Sequence, residues 1–276
     1  MSRIFCPVDF LDSSWSSLKT AYDLAIRSQG VLILMHAYHL DINTLNYNQG
    51  TWEEQVEEEC AIKLNQIINQ LIAYKPDLTI KFEKVLSKGF AVDKIVEESI
   101  NCRADIIILN SKGSEGFSDK VAGSVSTNVI ESTKTPVLII PVKIDSIQFK
   151  KIVFSFQPEM MDKTNFTFLV KLIKMYQAEL IIFSVLGEEV SREDQSKFEQ
   201  KITKRIEEHG FYQFQLEFVQ GDDIIQELEK YSSNHPIDLL VMVRGKKNFW
   251  EKMFKKGNTR KMAAQIEFPL MIMQEN

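Results

Sequence analysis

One pattern is written twice along this chain, and that repetition restricts its fold more than any other feature. KKIVFSF (150–156) matches SRIFCPV (2–8), and AELIIFSV (178–185) matches GVLILMHA (30–37). DLLVMV (238–243) matches DIIILN (105–110), and FPLMIM (268–273) matches TPVLII (135–140). The offset is 148 residues at the first two segments and 133 at the last two, so the second copy is shorter between its second and fourth strands. The stretch YHLDINTLNYNQG (38–50) is the part without a counterpart. Self-similarity on this scale means one supersecondary unit repeated. A chain of 276 residues has room for about two domains at roughly 150 residues each. The copies are placed at 1–143 and 149–276, with the join near Lys143–Gln148.

Inside the first copy, short apolar runs alternate with amphipathic segments. Ile4 to Val8 reads as a strand, followed by Ser13 and Ser14 as N-cap candidates and a helix carrying Trp15, Leu18, Ala21, Tyr22, Ala25 and Ile26. Gly30 is the expected helix stop. VLILMH (31–36) is apolar almost throughout, as expected for a strand buried on both faces. A long helix over Trp52–Leu71, a strand at 79–86, a helix over Val92–Ile100, a strand at 105–109, a helix over 124–132 and a strand at 136–141 complete the copy. Strands alternating with helices imply parallel pairing through right-handed crossovers. The expected architecture is α/β: two tandem copies of an open, five-stranded parallel sheet, Rossmann-like, with helices on both faces.

Composition narrows the partners. The net charge of −5 offers no general attraction to nucleic acid or an anionic membrane. No run reaches the roughly 18 apolar residues of a spanning helix, and MSRIFCPVDF lacks the basic and apolar regions of a secretory signal. Cys6, Cys60 and Cys102 cannot pair evenly, and Cys6 and Cys102 lie in or beside apolar runs. Free buried thiols in a reducing, cytoplasmic compartment are expected.

In an open parallel sheet, ligands bind beyond the carboxyl ends of the strands, where the strand order reverses. The positions just after the first, second and fourth strands are Asp9, Ala37 and the segment from Asn110. LNSKGSEGFSDKVAGSVSTNVI (109–130) is a glycine-bearing loop running into a helix at Gly123-Ser124. Phosphates need exposed backbone N–H groups and the positive end of a helix. Ser124 and Ser126 can add hydroxyl donors, Lys112 a positive charge, and Asp9 an acceptor for an adenine amino group or a ribose hydroxyl. The alternative role for Asp9 is to cap the first helix from the strand end.

VDF at 8–10, His36 ending the second strand, and Gly113-x9-Gly123-Ser124 before the final helix resemble the universal stress protein family. The resemblance covers the whole first copy and reaches the second by architecture, an adenine nucleotide alpha hydrolase-like fold. In nucleotide-binding members the loop runs Gly-x2-Gly-x9-Gly-Ser/Thr. Here Asn110 takes the first position and Gly113 the second. Asparagine tolerates left-handed backbone better than most residues, at a cost on the order of 1 kcal/mol. The resemblance implies a pocket of Pro7, Val8, Asp9, Ala37, Leu109, Asn110, Lys112, Gly113, Gly123, Ser124, Val125 and Ser126. It would hold ATP or a related adenine nucleotide, with magnesium as an optional companion.

The second copy departs from this pattern. Gln157 stands at the place of Asp9, Lys246 at Gly113, Lys256 at Gly123 and Gly257 at Ser124, while Thr259 faces Ser126. It reads as a copy that keeps the fold and has lost the site. His36 reads as a hydrogen-bonded structural histidine, and Glu53, Glu54, Glu57 and Glu59 as a solvated helix face. No GxSxG, Walker A or GxGxxG motif occurs, and no Cys/His spacing suggests zinc. Between Arg244 and Lys261 eight basic residues and one acid interleave with Phe249, Trp250 and Phe254, a solvated loop or a contact for an anionic partner.

Two functions from different classes follow: a stress-response regulator that binds an adenine nucleotide in its first copy, and a scaffold that acts on protein partners without nucleotide. Enzyme activity, at most slow ATP hydrolysis, ranks last for want of a base and a metal clamp. Single-domain relatives commonly pair through their final strands. PVLIIP (136–141) and PLMIM (269–273) are therefore expected to meet within one chain as a pseudo-dimer, with a further homodimer left open.

Overall fold

The computed structural model describes residues 2–39, 49–76, 78, 80–111, 124–142, 144, 147–155, 166–187, 189–244 and 268–274. They divide into two compact units between Ile144 and Ile147. The first unit contains β1 (Arg3–Pro7), a 3-10 turn (Asp12–Ser14), α1 (Trp15–Arg27), β2 (Val31–Tyr38), α2 (Gln49–Tyr74) and β3 (Lys81–Lys88). It closes with α3 (Ala91–Asn101), β4 (Ile106–Asn110), α4 (Ser124–Ser132) and β5 (Val137–Ile140). Its strands lie in the order β3-β2-β1-β4-β5, paired in parallel throughout.

The second unit contains β6 (Lys151–Ser155), α5 (Thr167–Tyr176), β7 (Glu179–Leu186), α6 (Arg192–Glu207), β8 (Phe214–Gln220), α7 (Ile224–Asn234), β9 (Leu239–Val243) and β10 (Leu270–Met273). Its order, β10-β9-β6-β7-β8, is the same path and again parallel. The fold is the open α/β sheet flanked by helices that the repeated alternation implies. Central strands are fully buried: Ile4, Phe5, Leu32, Ile33, Ile107 and Ile108 in one unit, Val153, Phe154, Ile182 and Val241 in the other. Such β-branched and aromatic runs favour a strand covered on both faces.

The repeat extends to individual hydrogen bonds. Asp105 N–H donates to the Arg3 carbonyl at 2.9 Å, and Asp238 N–H to that of Lys151 at 3.0 Å. Asp105 Oδ2 accepts from Arg3 N–H at 2.7 Å, while Asp238 Oδ2 accepts from the N–H groups of Lys150 and Lys151 at 2.9 and 2.8 Å. Gly89 N–H donates to the Tyr38 carbonyl and Gly221 N–H to that of Leu186, each at 3.0 Å. Ser111 N–H donates to the Ile140 carbonyl, and Arg244 N–H to that of Met273.

The helix stop after α1 differs in detail from expectation. Gln29, not Gly30, takes the left-handed conformation, with φ 48°, and Gln177 does the same after α5, with φ 51°. Gly30 N–H then donates to the Ala25 carbonyl, as Ala178 N–H does to that of Ile173. Gly30 is needed for space: a Cβ there would sit 2.3 Å from the Ser2 carbonyl oxygen. β3 starts two residues later than expected. Leu78 is held in a turn, its N–H donating to the Lys75 carbonyl and its own carbonyl accepting from Tyr22 Oη at 3.0 Å. α2 extends beyond Trp52–Leu71 at both ends. All three cysteines are free; Cys6 and Cys60 are buried, whereas Cys102, just past α3, is half-buried.

Candidate functional site

The order β3-β2-β1-β4-β5 reverses direction between β1 and β4, which brings the carboxyl ends of those two strands together. There the chain leaves β1. Val8 N–H donates to the Met35 carbonyl at 2.7 Å, continuing the strand pairing one residue past Pro7. The backbone then turns at Phe10, which has φ 61°. For a bulky aromatic residue this is an uncommon, strained conformation.

Asp9 occupies the turn and is exposed. Its Oδ1 accepts from Leu11 N–H at 3.1 Å and from the Ser14 hydroxyl. Ser14 was expected to cap α1, but it already has helical backbone angles and makes no side-chain cap bond. Its hydroxyl serves Asp9 instead. Asp9 therefore closes its own turn and does not cap α1; this engages one oxygen, and no described residue hydrogen-bonds Oδ2.

His36, near the end of β2, supports the same turn. Its Nδ1 lies 2.7 Å from the Val8 carbonyl oxygen. A carbonyl only accepts, so the proton sits on Nδ1 and the neutral ring keeps its lone pair on Nε2. Burial holds the imidazole below its ordinary pKa, against the raising effect of the Val8 bond. The ring packs against Phe10 with centroids 4.1 Å apart and planes tilted by 35°. Lys63, from α2, places its ammonium 5.5 Å from the Phe10 ring centre, within cation–π range. The expectation of a hydrogen-bonded structural histidine describes these contacts. Phe10 enters the sequence reading only as the end of VDF and Lys63 not at all, because nothing local couples position 10 to position 63.

At the end of β4, Asn110 is still strand, paired with Ile140, and its φ is not positive. The left-handed strain expected for asparagine in place of glycine is therefore absent. The Ser126 hydroxyl donates to the Asn110 carbonyl at 2.8 Å, tying the first turn of α4 to the strand end. Ser126, foreseen as a ligand donor, spends its proton here. The Asn110 Oδ1 atom is buried and has no hydrogen-bond partner. Val8 and Leu109 are buried, and Pro7, Ala37 and Val125 half-buried, around these polar groups. Ser124 opens α4. Lys112, Gly113 and Gly123 lie outside the described residues.

What this arrangement can hold follows from its donors and acceptors. Asp9 Oδ2 and Asn110 Oδ1 are acceptors that suit ligand N–H or O–H groups, such as an amino group or ribose hydroxyls. No cluster of three or more His, Cys, Asp or Glu side chains able to hold a metal occurs among the described residues. In the second unit the residue at the place of Asn110 is Val243, buried and apolar, and Ser155 takes the place of Pro7. Gln157, Lys246, Lys256, Gly257 and Thr259 lie outside the described residues, as does the basic segment beyond Arg244. On the expected acidic face of α2, Glu57 is exposed and accepts from the Tyr38 hydroxyl, while Glu53 pairs with Lys88 at 2.7 Å.

The model of the universal stress protein family matches residues 1–141. A universal stress protein of Mycolicibacterium smegmatis is 27% identical over 133 residues, which is 48% of this chain and 43% of that protein. The chain thus spans less than half of that relative. The crystal structure of a universal stress protein from Archaeoglobus fulgidus is similar over 99% of this chain and 96% of its own, with a TM-score of 0.70 and 17% identity. A universal stress protein in complex with cAMP is similar over 51% of this chain, with a TM-score of 0.40 and 22% identity. No described helix is long and apolar enough to cross a membrane.

Proposed function

We propose that this chain, which belongs to the universal stress protein family, binds an adenine nucleotide where β1 and β4 of its first unit end. One observation carries the reading. At the switch point of the first sheet, the Asp9 turn, whose Oδ2 no described residue hydrogen-bonds, adjoins a strand end whose Asn110 Oδ1 is buried and unpartnered, with the first turn of α4 tied to it by Ser126. Carboxylate and amide oxygen offer acceptors to the nucleoside. The start of α4 offers backbone N–H groups and the helix dipole to the phosphates. Lys112, Gly113, Gly123 and Ser124 complete the pocket on the strength of the family resemblance.

The second unit binds no nucleotide, on this reading. Its Val243 replaces an amide by an apolar side chain, and its sequence has Gln157 in place of Asp9. The protein then works as a cytoplasmic regulator in a stress response. Nucleotide occupancy of one unit alters what the chain presents to a protein partner, and chemistry on the nucleotide is secondary. Magnesium, where it takes part, is held by the phosphates, since no described side-chain cluster offers a metal site.

A scaffold without nucleotide is favoured by a different observation: Asp9 Oδ1 and the Ser126 hydroxyl are already engaged within the protein. Calorimetric titration of the full chain with ATP, with and without magnesium, separates the two. Saturable binding to the wild type that Asp9→Asn weakens at least tenfold supports the nucleotide site. Asparagine keeps the Oδ1 acceptor that holds Leu11 and Ser14, so the fold should survive. No binding at millimolar ATP supports the scaffold.

A further inference from the structure

Phe10 holds a left-handed backbone beside the site, and side chains from two other elements meet its ring. A non-glycine residue with φ 61° is in an unfavourable conformation that persists only where its surroundings impose it. His36 reaches from β2, donating Nδ1–H to the Val8 carbonyl at 2.7 Å and stacking on the Phe10 ring at 4.1 Å. Lys63 approaches that ring from α2 at 5.5 Å. Ser14 donates its hydroxyl to the carboxylate of Asp9, the residue before Phe10. Val8, Asp9 and Phe10 are thus gripped in succession, through a carbonyl, a carboxylate and a ring.

The geometry points to His36 as a positioning residue for nucleotide binding: it fixes the Val8–Phe10 turn so that Asp9 presents its carboxylate to the ligand. The inference rests on the nucleotide reading given above. Without the His36 donor the Val8 carbonyl loses its bond, and the turn is free to release the left-handed strain at Phe10. Asp9 then occupies its binding conformation only part of the time, and apparent affinity falls by that fraction. The ring and the donor of His36 are separable. Phenylalanine at 36 keeps an aromatic face for Phe10 but has no N–H. Asparagine keeps an N–H at the position of Nδ1 but has no ring. The donor, not the ring, is the part that sets affinity. Asp9 and Lys63 are the charged groups beside the imidazole, and they act on it in opposite directions.

The test is titration of the full chain with ATP in four variants, with melting temperature without nucleotide measured alongside. His36→Phe should bind about tenfold more weakly, the effect of leaving one buried acceptor unpaired, while His36→Asn stays within about threefold of wild type. Wild-type affinity in His36→Phe overturns the inference, as does equal loss in both variants. If His36→Phe fails to fold, Phe10 supplies the second pair. Phe10→Asn, at ease with positive φ, should retain binding, and Phe10→Pro, locked near φ −65°, should lose it. An identical response of that pair also overturns the inference. A wild-type chain that binds no ATP removes the nucleotide reading itself, a result distinct from any difference among the variants.

Discussion

The hydroxyl of Ser126 donates to the main-chain carbonyl of Asn110 across 2.8 Å, joining the first turn of α4 to the last residue of β4. The contact is part-buried and ties helix to strand at the switch point. Ser126→Ala should lower unfolding free energy by about 1 kcal/mol, the net worth of one such bond, and should weaken ATP binding as well. Urea unfolding and titration of the same protein check both. Unchanged stability would mean that α4 is held by its apolar face alone.

ATP should raise the melting temperature of the full chain. At about 100 times the dissociation constant, ligand linkage adds roughly 2.7 kcal/mol. For units of this size that is a rise of several degrees. The stoichiometry should be one nucleotide per chain, because the second copy lacks the carboxylate and the glycines. Two equivalent sites by calorimetry would show that the second copy is intact.

Gly30→Ala should destabilise the first unit by about 1–3 kcal/mol, the usual penalty for forced overpacking. The added Cβ meets the Ser2 carbonyl at 2.3 Å, and backbone yields less readily than a side chain. Ala178 fills the matching place after α5, so the conformation itself accepts alanine. The loss in denaturant midpoint therefore reads the clash alone, and Gly30→Ala with wild-type stability would mean that β1 and β2 can part to admit a methyl group.

Cys6 gives a pH dependence. Burial pushes its thiol from an ordinary 9.0 up to about 12. The group stays neutral in the folded chain while the unfolded chain ionises, so its contribution is intact below pH 9 and is lost between pH 9 and 12. The slope approaches about 1.4 kcal/mol per pH unit. Tyr22, Tyr38 and Tyr231 are also raised by burial and titrate in the alkaline range. The difference between wild type and Cys6→Ala across that window isolates the thiol. Parallel stability curves would show that Cys6 is not shielded.

Much of the fold was legible because buried strands leave long apolar runs and the chain repeats them at fixed offsets. VLILMH and LIIFSV are short apolar runs with β-branched or aromatic residues between turn signals, the length and composition of interior strands. The limits of elements were harder to read where a side chain overrides local preference. Tyr22 holds the Leu78 carbonyl and delays β3, a contact between residues far apart in sequence. Ser14 looked like a cap because caps are local, yet it serves a carboxylate five positions back. At the site, Asp9 and the Asn110 strand end could be placed from strand order alone. The Phe10–His36–Lys63 stack could not, since three elements meet there and no spacing along the chain records it.

Asp105 and Asp238 perform one task in two units, closing the amino-terminal rim of each sheet by accepting main-chain hydrogen bonds from its first strand. That rim lies at the opposite end of the strands from Asp9 and Asn110. Holding the strands in register and meeting a ligand are therefore entrusted to separate ends of the same framework. A duplicated unit built this way can exchange every loop at its carboxyl ends and still find its fold. Grafting the first copy's carboxyl-end loops onto the second is accordingly a realistic engineering route to a chain with two binding sites.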